Sequence, residues 1–202
     1  AVGYNKFIME IGIWGDSITW GAWDRKLGGW AARLGLKLNN ATYEVYNLGV
    51  SGDTTVGVLD RFPVEAYIRN PTQILIAIGV NDLRRDRTGK QHTSPAFFVQ
   101  NLNQIFSLAK KYTKKVAAVE IAHLDDTITQ PVPWNKDASY SNAEAAHFNA
   151  LLRNVAKKHG VKTIPVIITD NDLDDGIHPN EKGHEKIAKT ILAFLKKNKW
   201  TK

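Results

Sequence analysis

The sequence predicts an α/β fold: a parallel β-sheet between layers of helices, a three-layer α/β/α sandwich. Two observations carry the prediction. Short apolar runs that stop at glycine alternate along the chain with longer stretches of helical periodicity. Polar clusters (Gly15-Asp16-Ser17, Ser51-Gly52-Asp53 and Gly79-Val80-Asn81-Asp82) fall just after such runs, on the edge where ligands bind in an open parallel sheet. The 202 residues suit one domain, 1–202, with a substantial core, and no repeat or linker divides them.

The first strand is the run Ile8, Met9, Ile11, Ile13 and Trp14, which breaks off at Gly15. Residues 1–8, leading up to the only methionine, read as upstream or added sequence. After an aromatic-rich loop from Trp20 to Gly29, the spacing of Trp30, Leu34 and Leu38 predicts a helix. Val45 to Leu48, ending at Gly49, is a second strand. Thr54 or Thr55 caps a helix carrying Val58, Leu59 and Phe62, whose continuation Pro63 is expected to disturb. Gln73 to Ile78 is the clearest buried strand, and the polar segment Leu83 to Thr93 is expected to lie outside the core.

Pro95 opens a helix with Phe98, Leu102, Ile105, Phe106 and Leu108 on its apolar face. Val116 to Ile121 is the fourth strand. Ala122 to Tyr140 has no periodicity, and so long a loop in a compact domain is functional or mobile. Ser141-Asn142-Ala143-Glu144 has the pattern of a capping box, starting a helix through Phe148, Leu151, Leu152 and Val155 that Gly160 ends. Val161 to Ile168 is a fifth strand, placed at a sheet edge by Pro165. Glu181 to Leu195 closes the chain as an amphipathic helix. The expected strand order is 2-1-3-4-5, with a switch point between the first and third strands.

Composition narrows the function. With no cysteine, disulfides, thiolate metal sites and cysteine nucleophiles are excluded. The net charge of +7 gathers on lysines near expected helix ends, such as Lys110, Lys111, Lys196 and Lys197, where cations favour the helix dipole. No basic face interleaved with aromatics accompanies it, so a nucleic-acid partner is not indicated. No apolar run reaches the roughly 20 residues of a membrane span. The lack of cysteine and of a visible signal peptide slightly favours a cytoplasmic setting, with a secreted protein whose signal has been removed as the alternative.

Asp175 and His178 precede the last helix, so the loop tips supply a hydroxyl, an imidazole, a carboxylate, a side-chain amide and a glycine backbone. That inventory suits acyl transfer. A serine hydroxyl is a poor nucleophile until a base takes its proton, and His178 is the candidate base for Ser17. Asp175 could fix its tautomer. The N–H groups of Ser17 and Gly52 and the amide of Asn81 are candidate oxyanion donors. Each residue also has a structural use: Ser17 as a helix cap, Asn81-Asp82 as an Asx-turn, Asp175-Gly176 as a turn. Asp174 competes with Asp175, and the three-residue spacing favours Asp175. Asp16 is expected to bond nearby backbone and shape the turn.

Taken in order from Gly15 to Pro179, the blocks Gly15-Asp16-Ser17, Gly52, Gly79-Val80-Asn81-Asp82 and Asp175-Gly176-Ile177-His178-Pro179 resemble the four motif blocks of the SGNH (GDSL-like) hydrolase family. No block is specific alone; together and in order they are. The first reads GDSI rather than GDSL, a conservative change. The resemblance implies a flavodoxin-like five-stranded sheet and no cofactor. It also implies a nucleophile at Ser17, oxyanion donors at Gly52 and Asn81, and the pair Asp175/His178. The expected activity is hydrolysis of small to medium carboxylic esters through an acyl-enzyme. Carbohydrate deacetylation and lysophospholipid or thioester cleavage fit the same site; a non-catalytic sugar- or acyl-binding module is the competing class.

Trp20, Trp23, Trp134 and His123 are weaker candidates for substrate contact. The remaining histidines, His92, His147, His159 and His184, share with His123 a lack of metal-ligand spacing, and His159 and His184 are expected to be exposed.

Overall fold

The apolar run near the N-terminus forms strand β1 (Met9–Gly15), the centre of a parallel sheet. Beside it lie β2 (Tyr43–Gly49) and β3 (Gln73–Ala77), followed by β4 (Val116–Val119) and β5 (Lys162–Ile164). The order is β2-β1-β3-β4-β5, as expected. This computed structural model describes residues 8–38 and 42–201, so the reading of residues 1–8 as upstream sequence lies, Ile8 apart, outside the described residues.

Both faces of the sheet are covered, which is why its strands read as near-continuous apolar runs. Ile11, Ile13, Leu75 and Ala117 pack with Trp30, Leu34, Ile187 and Ile191 of helices α2 (Gly29–Leu38) and α6 (Glu181–Lys197). Trp14, Ile74, Ile76 and Ala118 point the other way. They meet Phe62, Phe106 and Phe148 of α3 (Thr55–Arg69), α4 (Pro95–Tyr112) and α5 (Asn142–His159). A short helix α1 (Ser17–Trp20) follows β1 directly. Gly15 pairs with both Gly49 and Ala77, so the three central strands end level and release their loops onto one edge.

Several elements differ from expectation, each for a visible reason. Helix α3 runs through Pro63, because Phe62 and Ala66 anchor it in the core while Pro63 faces solvent, where water can take up the carbonyl its ring leaves unpaired. Only the ends of segment 83–93 enter the core: Leu83 is fully buried and Thr93 nearly so, while residues 84–92 between them are half-buried or exposed. Arg85 pins this segment by paired backbone bonds of 2.9 Å with Ser139 and by an ion pair of 2.7 Å to Glu144. That ion pair also halves the expected capping box: Ser141 Oγ accepts from Glu144 N, but the Glu144 carboxylate turns to Arg85 and Gln91. Strand β5 covers only Lys162–Ile164, shorter than the expected Val161 to Ile168, and it lies at the sheet edge, where Pro165 follows it.

Two carboxylates hold the loops at the sheet edge. Thr54 is the N-cap of α3 but makes no side-chain cap bond. Its work passes to Asp82, whose carboxylate accepts from Thr55 N at 3.0 Å and from Thr55 Oγ1 at 2.6 Å, with Asn101 donating to the same hydroxyl. Asp82 is fully buried, and that burial raises its pKa against the lowering effect of these bonds. Asp16 caps α1 by accepting from Ile18 N at 2.9 Å, as the sequence reading expected. Burial, opposed by that bond, pushes its carboxyl up to about 7.

Asp82→Ala should lower stability by roughly 2–4 kcal/mol, since buried donors on Thr55 lose their acceptor; urea unfolding checks it. Asp16 in the folded chain keeps a proton that the unfolded chain releases above its ordinary value, so its contribution is lost as pH climbs from about 4 to 7. Asparagine caps equally well and does not titrate. Asp16→Asn should therefore gain on wild type by about 2–3 kcal/mol between pH 5 and pH 8 in unfolding experiments at the two values.

Candidate active site

Ser17 is the first residue of α1, held where β1 gives way to the helix, and is 6% exposed. The turn depends on missing side chains. A Cβ at Gly15 would overlap Thr19 Oγ1 and the Ala77 carbonyl, and one at Gly49 would overlap the backbone of Trp20. Gly21 then ends the helix at φ 108°.

Across the sheet edge, the loop before α6 brings His178 to Ser17, 161 residues away in sequence: Nε2 lies 2.9 Å from Oγ. On the far side of the ring, Nδ1 lies 2.8 Å from Asp175 Oδ2. The other Asp175 oxygen accepts from Ile177 N at 3.1 Å and His178 N at 2.9 Å, an Asx-type turn completed by Gly176 at φ 89°. Asp175 therefore does both jobs the sequence left open, turn former and imidazole partner. Asp174 contributes a backbone bond from its N–H to the His178 carbonyl. Burial raises the Asp175 pKa, but the hydrogen bond and charge of His178 and the two N–H groups outweigh it and hold the carboxyl below its usual value.

The other predicted groups lie on neighbouring loops. Asn81 donates through Nδ2 to the Asp53 carbonyl at 2.9 Å, which fixes its amide plane. Gly52 sits at φ 80° with open space where a Cβ would be, so backbone conformation rather than crowding calls for glycine there. Arg61, which sequence reasoning missed, ties this loop to β1. Its guanidinium donates to Asp53 Oδ2 at 2.9 Å, Glu65 Oε2 at 2.7 Å and the Gly15 carbonyl at 3.2 Å. Its spacing of four residues from Glu65 on one helix was the available signal.

An open cavity of about 540 Å³ borders Ser17 and His178 and is walled by the loop between α1 and α2. Trp20, Trp23, Arg25, Gly28 and Ser51 help line it. Of the weaker candidates, Trp20 and Trp23 therefore reach the cavity beside Ser17. His123 and Trp134 do not line it; His123 instead pairs with Asp170 at 2.6 Å, and Trp134 stands exposed on the loop after β4.

His184, expected to be exposed, is fully buried. Its Nδ1 accepts from Trp30 N at 3.1 Å, which leaves the proton on Nε2 to donate to the Ala22 carbonyl at 2.8 Å. Burial lowers its pKa, against the raising effect of the Ala22 bond. Two distant backbone partners, one on the α1–α2 loop and one in the first turn of α2, make this burial possible, and nothing in the periodicity of α6 announces them. His159 is half-buried, 3.0 Å from Asn103 Oδ1. Among the described residues, no group of three or more His, Cys, Asp or Glu side chains could hold a metal ion, and no helix is long and apolar enough to cross a membrane.

A buried hydroxyl, an imidazole and a carboxylate in hydrogen-bonded series at a cavity mouth can raise the nucleophilicity of the hydroxyl. Comparison with known proteins places the chain in a family. Residues 13–186 match the model of the GDSL-like lipase/acylhydrolase family. An acetylxylan esterase of Xylanibacter ruminicola is 32% identical over 93% of this chain, which spans 43% of that protein's length. The thioesterase 1/protease 1/lysophospholipase L1 of Escherichia coli is 29% identical over 87% of this chain and 78% of its own. Among solved structures, TesA superposes with a TM-score of 0.74 at 25% identity, covering 94% of this chain and 99% of that one. A lipase/acylhydrolase from Enterococcus faecalis does so with a TM-score of 0.74 at 22% identity, covering 95% and 97%. The matched span takes in Ser17, Gly52, Asn81, Asp175 and His178, and the chain belongs to the GDSL-like lipase/acylhydrolase family, a family of ester-hydrolysing enzymes.

Proposed function

We propose that this chain, read as one domain of that family, is a serine esterase acting on small to medium carboxylic esters through an acyl-enzyme. The observation that carries the reading is the unbroken series from Ser17 Oγ through His178 to Asp175, with links of 2.9 and 2.8 Å. In this mechanism His178 Nε2 takes the Ser17 proton as Oγ attacks the ester carbonyl. Asp175 holds the ring with its proton on Nδ1 and steadies the imidazolium that forms. The oxyanion is met by the N–H groups of Ser17 and Gly52 and by the Asn81 amide, which keeps a second hydrogen free after bonding Asp53. His178 then protonates the leaving alcohol, and water attacks the acyl-enzyme by the same route in reverse. An alcohol in place of water would give acyl transfer with no change of residues.

A second reading concerns the substrate. Trp20 and Trp23 expose 59% and 45% of their surface at the cavity, and flat indole faces suit the apolar faces of sugar rings. Together with the acetylxylan esterase relative, this favours acetylated carbohydrate among the esters. Acetate release from acetylated xylan, compared with hydrolysis of p-nitrophenyl esters of increasing chain length, tests it. A cavity built for sugar should favour acetyl groups and lose activity with longer acyl chains.

Ser17→Ala should reduce p-nitrophenyl acetate hydrolysis to background with an unchanged unfolding transition; wild-type turnover would sink the nucleophile assignment. Asn81→Ala should lower kcat by roughly 10²–10³ at little change in KM, the cost of removing one oxyanion donor.

A further inference from the structure

The Asp175 carboxylate has a fourth donor that no motif supplies. Trp23, on the loop between α1 and α2, donates its indole Nε1–H to Asp175 Oδ2 at 2.7 Å, the same oxygen that His178 Nδ1 approaches to 2.8 Å. The indole stands edge-on to the imidazole, with centroids 6.2 Å apart and an interplanar angle of 86°. The backbone of Trp23 adopts φ 67°, a left-handed conformation that is unfavourable for a bulky residue. Adjacent to it, the Ala22 carbonyl is fastened by buried His184, and the Asp24 carboxylate accepts from Leu27 N, Gly29 N and Arg33 Nε. The loop is thus clamped on both sides of Trp23, which holds the strained residue in place.

We propose that Trp23 is a positioning residue for the esterase reaction: its indole N–H sets the Asp175 carboxylate, and through it the His178 ring, while the same indole walls the substrate cavity. The inference rests on the reading of Ser17, His178 and Asp175 given above. Asp175 Oδ1 is locked by two backbone N–H groups, so the orientation of Oδ2 is left to His178 and Trp23. During turnover His178 leaves the Ser17 hydroxyl and swings toward the leaving group. Throughout that motion the indole bond keeps Oδ2 in place. The bond also takes up part of the charge on that oxygen. Without it Oδ2 becomes a stronger acceptor for His178 Nδ1–H, and the imidazolium is favoured over the neutral base.

The other ionisable groups that face the pair are Asp16 in the β1–α1 turn, His184 on α6, and Tyr140 on the loop before α5, with Arg84 beside the tyrosine. Asp24 and Arg25 flank Trp23 on its own loop. All of them stay in place when only residue 23 is changed.

Two substitutions separate the donor from the bulk. Trp23→Phe keeps an aromatic ring and removes the N–H. Trp23→His loses the fused benzene ring but can carry an N–H at the ring position equivalent to Nε1. In steady-state kinetics with p-nitrophenyl acetate, Trp23→Phe should lower kcat about tenfold, as expected for one hydrogen bond to a charged group. KM should stay within about twofold, and the acid limb of the kcat/KM profile should move to higher pH. Trp23→His, assayed at pH 8.5 where its own ring is neutral, should recover most of the lost kcat. A Phe variant with wild-type kcat and an unmoved profile overturns the proposal, as does a His variant no better than Phe. Fluorophosphonate labelling of the wild type keeps the claims apart. If Ser17 is unlabelled, the nucleophile assignment falls and this inference with it; if Ser17 is labelled and the Phe variant is unmoved, the role of Trp23 falls alone.

Discussion

The close approach of α1 to the ends of β1, β2 and β3 is the constraint on which the rest of this molecule is built. Gly15 and Gly49 leave no room for a side chain, because the Thr19 hydroxyl, the Ala77 carbonyl and the Trp20 backbone occupy that space. Level strand ends at Gly15, Gly49 and Ala77 then fix where each following loop begins. With α1 pressed onto the edge, Ser17 is buried at the sheet's centre rather than displayed on a flexible turn. Arg61 and Asp82 extend the same fixation sideways, one tying the Asp53 loop to β1 and the other tying α3 to the loop after β3. The positions of Gly52 and Asn81 follow from those two ties.

Two carboxylates close to His178 show how environment sorts like groups into different roles. Asp16 is enclosed, so desolvation outweighs the bond it accepts from Ile18 N and pushes its carboxyl up to about 7. Asp175 is also partly desolvated, yet four N–H donors converge on its two oxygens and keep it ionised. The bond from Ile18 N turns Asp16 into α1 rather than toward the imidazole. The ionised carboxylate of Asp175 thus lies on the side of the His178 ring away from Ser17.

Most of the scaffold was legible because it rests on local rules. Apolar runs ending at glycine became β1, β2 and β3, and the serine or proline starts of α4 and α5 stand where capping chemistry puts them. The pairing of Ser17 with His178 was legible only through spacing and the order of loop tips, since 161 residues separate them. What escaped was long-range and polar. The burial of His184 needs acceptor and donor groups at Ala22 and Trp30, and the persistence of α3 beyond Pro63 needs the packing of Phe62 against Trp14, with ring centroids 4.5 Å apart. Leu83 looked solvated because its arginine-bearing neighbours hid one apolar residue that fills the core. Trp134 and His123 sit near the right edge in sequence, but the loop after β4 folds back on residues 128–140 and on Gly176 rather than over Ser17.

The α1–α2 loop joins these strands of argument, because it is at once an exposed aromatic surface and a rigid one. Its neck closes where Gly21 and Gly29 touch, a contact that any Cβ would prevent. Inside, Asp24 and Arg33 form an ion pair of 2.6 Å with both side chains buried, and Arg33 reaches on to Glu185 of α6 at 3.0 Å. Such a pair adds little net stability, since desolvation offsets its attraction, and its value lies in specifying one arrangement. Here the arrangement specified is that of Trp20 and Trp23 relative to Ser17. Exposed tryptophans on a loose loop would lose conformational freedom on meeting a ligand; on this loop that freedom is already removed in folding, so any contact made there costs less ordering. The layer formed by α2 and α6 therefore does more than cover one face of the sheet. Through His184, Arg33 and Glu185 it holds the loop whose tryptophans wall the cavity beside Ser17.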